Sequence, residues 1–456
     1  MKPLLLLAIT IGAAQASVSP INSTFRRTKT GLDVLIASKY SQLASRKVLL
    51  LTNPTGVTPE LNLGVDVMFA SKAVNLVGIL GPEHGFRGTS QAGAGQATFV
   101  DPKTGLTVYN AYNANTSTLV SYIRDSGADL ILYDIQDVGA RFYTCLRQKL
   151  KPEIGEKLIR FADIWALYDV MVAANIANTS VMVLDRPNPI AGNNAFGPVL
   201  NESFVNSYVG RRSISQVHGM TVGELAKMYV GQGWIAATAN AQTKLHLEVV
   251  TMQNWRRSMR FEDTGLPWVL PSPNMPTVET AMIYGGACLF EGTNMSEGRG
   301  STRPFELLGA PWANESWVDA MRSLHIPHTN YRFQCFTPTT SKFSGENVCG
   351  LQVYVELKGE SSRLEHFDAP FVGVSLLYTA RRLFGNGSTS NMGSTDQSFG
   401  FLYNTRSNMY NIDVLAGSPL VRESLERNMT PEQIRDKWTP RLNEFRAIRK
   451  KYLLYE

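Results

Sequence analysis

The chain has 456 residues, 44% hydrophobic and 18% charged, with a formal net charge of +6. That balance excludes a disordered or fibrous protein, and the length predicts two packed units rather than one. The positive charge is spread out, with no basic block interleaved with aromatics, so nucleic acid is not an expected partner.

Lys2 precedes the apolar run PLLLLAITIGAA, and AQA ends at Ala16; this is the pattern of a cleavable export signal over residues 1–16. No later stretch reaches the roughly 18 apolar residues of a membrane span. The mature chain is therefore expected to be secreted or extracytoplasmic. Cys335 and Cys349 lie close enough in sequence for a local disulfide in an oxidising compartment, although isolated thiols fit the spacing equally well. Glycosylation sequons occur at Asn22, Asn115, Asn178, Asn201, Asn294, Asn314, Asn386 and Asn428.

From Lys47 onward, continuous apolar runs alternate with helix-like stretches. KVLLLTN, VNLVGIL, ADLILYD and SVMVLD read as strands buried on both faces of a parallel sheet. Between them, segments such as Thr116 to Gly127 have helical spacing and a glycine stop. The prediction is a doubly wound α/β domain over 27–284. Thr221 to Glu224 forms a capping box that opens a helix, and the prolines of LPWVLPSPNMPT suit a crossing between domains. A smaller α+β domain is expected over 285–456, ending in a helix that Pro440 should break or kink.

Polar residues cluster just past the strand ends, in TNPTG, GPEHGFRG, YDIQDVGARFYT and DRPNPI. In open α/β sheets the ligand crevice lies beyond the carboxyl ends of the strands. Asn53, Glu83, Asp134, Asp137 and Asp185 are thus expected on one rim.

Other chemistries find little support. The six histidines are scattered, and His325 and His328 are separated by Ile-Pro, so no metal site is expected. GTSQAGAGQ lacks the dinucleotide-binding spacing, and no G-x-S-x-G elbow is present. Carboxylates remain: Glu83, and Glu291, Glu297 and Glu306 in FEGTNMSEGRGSTRPFE, with Arg299 and Arg303 between them. Glycosidic acid–base chemistry needs two carboxyl groups flanking one bond, one with a raised pKa. The arginines suit a substrate with its own carboxylate. Each residue alone would equally suit a cap or structural ion pair; their convergence carries the functional reading.

GPEHGFRG, DIQDVGARFYT, LDRPNPI, HGMTVGELA, LPSPNMPT and LFEGTNMSEGRGSTRPFE closely resemble the NamZ-type exo-β-N-acetylmuramidases, from about Gly31 to the terminal KKYLLYE. The resemblance implies a glycoside hydrolase that removes N-acetylmuramic acid (MurNAc) from the non-reducing end of peptidoglycan fragments. It also implies an active site between a Rossmann-like and a smaller C-terminal domain, with no metal or nucleotide cofactor. Carried onto this sequence, it makes Glu83 the first catalytic candidate and Glu291 its preferred partner, ahead of Asp134, Asp137 and Glu297. Arg87, Arg141 and Arg299 become candidates for the lactyl carboxylate. His84, Gln136, Tyr143, Asn188, Asn274 and Asn294 become candidates for sugar hydroxyls or the acetamido group. Residues 146–163 read as an insertion relative to the family, either a loop at the cleft rim or an unspliced stretch. The alternatives are a non-catalytic secreted glycan-binding protein and an exo-hydrolase for another amino sugar. A glycan on Asn294 would obstruct the cleft, so that sequon is expected to be unoccupied.

Overall fold

The computed structural model describes residues 26–82, 86–87, 97–111, 114–143, 163–190, 192–205, 207, 209–239, 244–357, 367–385, 390–391, 398–405 and 407–456. Glu83, His84, Cys145 and the 146–162 portion of the expected insertion lie outside these residues, as do Asn22 and Asn386.

The N-terminal half runs α1 (Gly31–Ala37), β1 (Lys47–Thr52), α2 (Gly64–Ser71), β2 (Asn75–Gly81), β3 (Phe99–Val100), β4 (Thr107–Asn110), α3 (Thr116–Ser126), β5 (Leu130–Asp134), α4 (Asp163–Ala177), β6 (Ser180–Leu184), β7 (Phe196–Val199), β8 (Ser215–Val217), α5 (Val222–Gly231), α6 (Trp234–Ala239) and β9 (Leu247–Val250). One seven-stranded sheet has the order β3-β4-β2-β1-β5-β6-β9, parallel except for the antiparallel edge strand β3. Alternation along the strands divides the core. Val48, Leu50, Leu130 and Leu132 pack with Leu32 and Leu35 of α1 and Val65 and Met68 of α2. Leu49, Leu51, Ile131 and Tyr133 point to the opposite face, among Leu119 of α3, Leu167 of α4 and Leu225 of α5. The continuous apolar runs are therefore strands covered on both faces, as the sequence predicts. The strand order reverses between β1 and β5, which makes their carboxyl ends the topological switch point.

The C-terminal half contains α7 (Val278–Ala287), β10 (Leu307–Ala310), α8 (Ser316–Ser323), β11 (Thr329–Phe336), β12 (Val348–Val355), α9 (Ala369–Phe384), α10 (Asn411–Ala416), α11 (Leu420–Glu426) and α12 (Pro431–Lys450). Strands β10, β12 and β11 form a small antiparallel sheet. Cys335 and Cys349 face each other across β11 and β12 and are joined as a disulfide; Cys288 is a buried free thiol. Helices α7 and α9 meet at backbone contact, since a Cβ on Gly286 would lie 1.9 Å from the Ala369 carbonyl oxygen. The architecture is the expected one: a doubly wound α/β sheet joined to a smaller α+β region.

Of the break or kink expected at Pro440, the break does not occur: helix α12 continues through it. Its buried face, Ile434, Trp438, Leu442 and Phe445, recurs at helical spacing, while Pro440 lies exposed on the other side. Packing of that face outweighs the one backbone hydrogen bond that proline removes.

Candidate active site

At the switch point, the side-chain oxygen of Asn53 accepts from the Thr55 amide (2.9 Å) and hydroxyl (2.5 Å). The Gln136 amide in turn donates to Thr55 Oγ1 at 2.8 Å, which ties the ends of β1 and β5 together. The rim carboxylates already have partners. Asp134 is buried in a two-point pair with Arg186, at 2.6 and 3.0 Å. Asp137 Oδ2 meets His218 Nε2 at 3.1 Å and accepts from the Gly139 amide at 2.8 Å, while its buried Oδ1 has no partner among the described residues. Asp185 accepts from Thr221, the Gly223 amide and the Tyr455 hydroxyl. These groups fasten the rim, and apart from Asp137 Oδ1 their oxygens bond to the protein itself.

The segment 137–143 leads from this rim to a second cluster. The Tyr284 hydroxyl of α7 donates to the Phe142 carbonyl at 3.1 Å, and the Tyr143 and Tyr284 rings meet edge to face at 5.9 Å. Tyr284 packs on Phe305, over which the Arg299 guanidinium sits at 4.9 Å. Arg299 lies between two carboxylates, 2.5 Å from Glu291 and 3.5 Å from Glu297. Lys342 Nζ pairs with Glu297 at 2.9 Å and donates to the Phe290 and Met295 carbonyls, which fixes the Glu291 loop.

Both glutamates are nearly inaccessible, yet their environments push them apart. Burial, aided by the negative charge of Glu297, raises the pKa of Glu291 despite Arg299. Burial would also raise Glu297, but Lys342 and Arg299 together overcome it and hold that carboxyl below its ordinary range. Such a split is the pattern that separates an acid from a base at one site.

Matches to known proteins extend over both halves. The family model described as exo-beta-N-acetylmuramidase NamZ, N-terminal, matches residues 48–149 and 153–279, and its C-terminal counterpart matches 282–455. The chain belongs to the NamZ exo-β-N-acetylmuramidase family. Across 449 residues it is 37% identical to the peptidoglycan beta-N-acetylmuramidase NamZ of Bacillus subtilis strain 168, covering 98% of this chain and 96% of that one. Two crystal structures of DUF1343 family proteins from Bacteroides fragilis superpose with TM-scores of 0.75 and 0.66, at 29% and 25% identity. Each comparison covers 94% of this chain and 99% of the other.

Of the residues singled out from sequence, the fold gathers Tyr143, Glu291, Glu297 and Arg299 in one place. Arg141 lies beside them, fully buried, donating to the Leu415 and Ala416 carbonyls at the end of α10. Its Nε and Nη1 have no acceptor among the described residues, and burial pushes its guanidinium down to about 9. Arg87 is elsewhere, clamped between Asp66 and Asp101, and holds Asp101 down to about 2. The Gln136 side-chain Nε2 donates to the Asp137 and Pro187 carbonyls, and the Asn188 side-chain Nδ2 to the Met220 carbonyl. The Asn294 side chain donates to the Ser398 carbonyl at 2.7 Å and accepts from the Gly400 amide at 2.9 Å. A glycan on that nitrogen would break the strap. Asn274 is half-exposed, its backbone N–H resting on Ser272 Oγ.

The sequence reading missed Lys342, Tyr284, Arg186 and His218. Lys342 sits in the loop closed by Cys335 and Cys349, so a disulfide there, one of the two readings the spacing allowed, was the one local pointer to it. Arg186 was within reach, being the second residue of the DRPNPI motif.

Proposed function

We propose that the protein is a secreted exo-β-N-acetylmuramidase that releases MurNAc from the non-reducing end of peptidoglycan fragments. The observation that carries this reading is the buried Glu291–Arg299–Glu297 cluster, with its two carboxyls shifted in opposite directions, in a chain of the NamZ family. Glycosidic cleavage needs one carboxyl that holds its proton near neutral pH and a second group on the other side of the bond. Glu291 suits the first role, because burial favours its neutral form. Glu83, two positions beyond β2 in the sequence, is the proposed second carboxylate. Arg299 and Arg141 are the proposed partners for the lactyl carboxylate, and Tyr143 for a ring hydroxyl. The two halves are proposed to divide near 284/285, within α7, the helix that leads to the segment bearing Glu291.

Export is supported by the Lys2-headed apolar run and by the Cys335–Cys349 disulfide, a bond that persists in oxidising compartments. Among the described residues, no helix is long and apolar enough to cross a membrane. The test is product analysis after incubation with a MurNAc-GlcNAc disaccharide, beside a control saccharide that begins with GlcNAc. Free MurNAc from the first alone supports the proposal. Cleavage of the control alone assigns another amino sugar, and binding without cleavage assigns a lectin.

A further inference from the structure

The end of β7 in the N-terminal half, with the start of α11 and one face of α12 in the C-terminal half, encloses a groove of about 500 Å³, within the range of small-ligand sites. It is separate from the glutamate cluster. The backbone of Leu415 to Gly417 runs between them, its first two carbonyls accepting from Arg141 and the carbonyl of Gly417 accepting from the Asn201 amide on the groove side.

The groove is built for negative charge. Lys437 and Arg441 stand one turn apart on the exposed side of α12, and neither meets a carboxylate among the described residues. Like charges at that spacing cost a helix a few tenths of a kcal/mol. Arg427, just past α11, supplies a third cation, and the one lining carboxylate, Glu423, lies 3.6 Å from it. Trp438 also lines the groove; it is 2% exposed, and its indole N–H has no acceptor among the described residues. An N–H left without an acceptor in a folded core is uncommon and costly.

We propose that this groove is a second binding site for a carboxylate-bearing saccharide, holding the wall polymer while its end is processed in the cleft. Naming the polymer rests on the muramidase reading; the groove and its charge do not. The carboxylates could be the lactyl groups of the glycan or those of its stem peptides, which present the same chemistry to Lys437 and Arg441.

The experiment measures binding of the full chain to insoluble peptidoglycan sacculi, stripped of phosphate polymers by hydrofluoric acid, across a salt series. A Lys437→Ser/Arg441→Ser double variant is compared with the parent. Both residues are exposed, so the fold should survive. The expected result is about fivefold weaker binding and a shallower salt dependence in the variant, the scale of losing two exposed charge contacts. Turnover of the MurNAc-GlcNAc disaccharide should be unchanged. Competition by peptide-free glycan strands or by free stem peptides then identifies which carboxylates are held. Equal binding by both proteins overturns the proposal, as does competition by neither ligand. Binding only to sacculi that retain phosphate polymers also overturns it, reassigning the groove to phosphate. An equal fall in disaccharide turnover would make the residues part of the catalytic half. If the parent never cleaves the disaccharide but groove-dependent binding persists, the muramidase reading falls and the groove stands.

Discussion

Glu297 illustrates how a residue can matter through its charge on a neighbour. Its carboxylate raises the pKa of Glu291, while Lys342 and Arg299 keep it ionised. Replacing Glu297 with Gln removes that repulsion, so the pKa of Glu291 falls. If Glu291 is the proton donor, its active form is then lost at lower pH. The alkaline limb of the kcat/KM profile should therefore move to more acidic pH in Glu297→Gln, as a pH–rate series on the disaccharide would read. A limb that stays in place would exclude Glu291 as the acid. Much of this site was legible as motif chemistry, because Glu291, Glu297 and Arg299 fall within nine residues. Lys342 was not, since nothing in its local sequence marks it and only the hairpin brings it there.

That hairpin makes a prediction at the level of an element. Strands β11 and β12 are already paired residue by residue, and the disulfide closes the loop that carries Lys342. Replacing both cysteines with Ser should lower stability by about 2–3 kcal/mol, the chain-entropy value for a loop of this size, measured as a lower urea midpoint. An unchanged midpoint would mean that strand pairing alone holds the loop. Elements were legible wherever local pattern and burial agreed, as in the apolar runs of β1, β2, β5 and β6. They were misread where tertiary packing overrode a local rule, as at Pro440 in α12. The roles of Asp134 and Asp185 depend on partners 52 and 270 residues away, Arg186 and Tyr455, a distance that no local pattern spans.

Across the described residues, four buried or half-buried carboxyls bear on the response of stability to pH. Burial raises Asp169, Asp185, Asp368 and Asp413 to about 6 each. In the unfolded chain such groups ionise near 3.9. Between these values the native state binds more protons than the unfolded one, so stability rises as pH falls from about 6 toward 4. Each group then contributes on the order of 2 kcal/mol of relief. The melting temperature should be several degrees higher at pH 5 than at pH 7.5. A flat or opposite trend would mean that the native protein accommodates these charges in full.

The measurement closest to the central claim is kcat/KM for MurNAc release from MurNAc-GlcNAc by the parent and by Glu291→Gln. Folding of the variant would be checked by its melting temperature. The account predicts release by the parent and a loss of about a hundredfold or more in the variant, the contribution of a positioned proton donor. Equal rates would remove Glu291 from the chemistry, and a folded parent that releases nothing would contradict the muramidase reading itself.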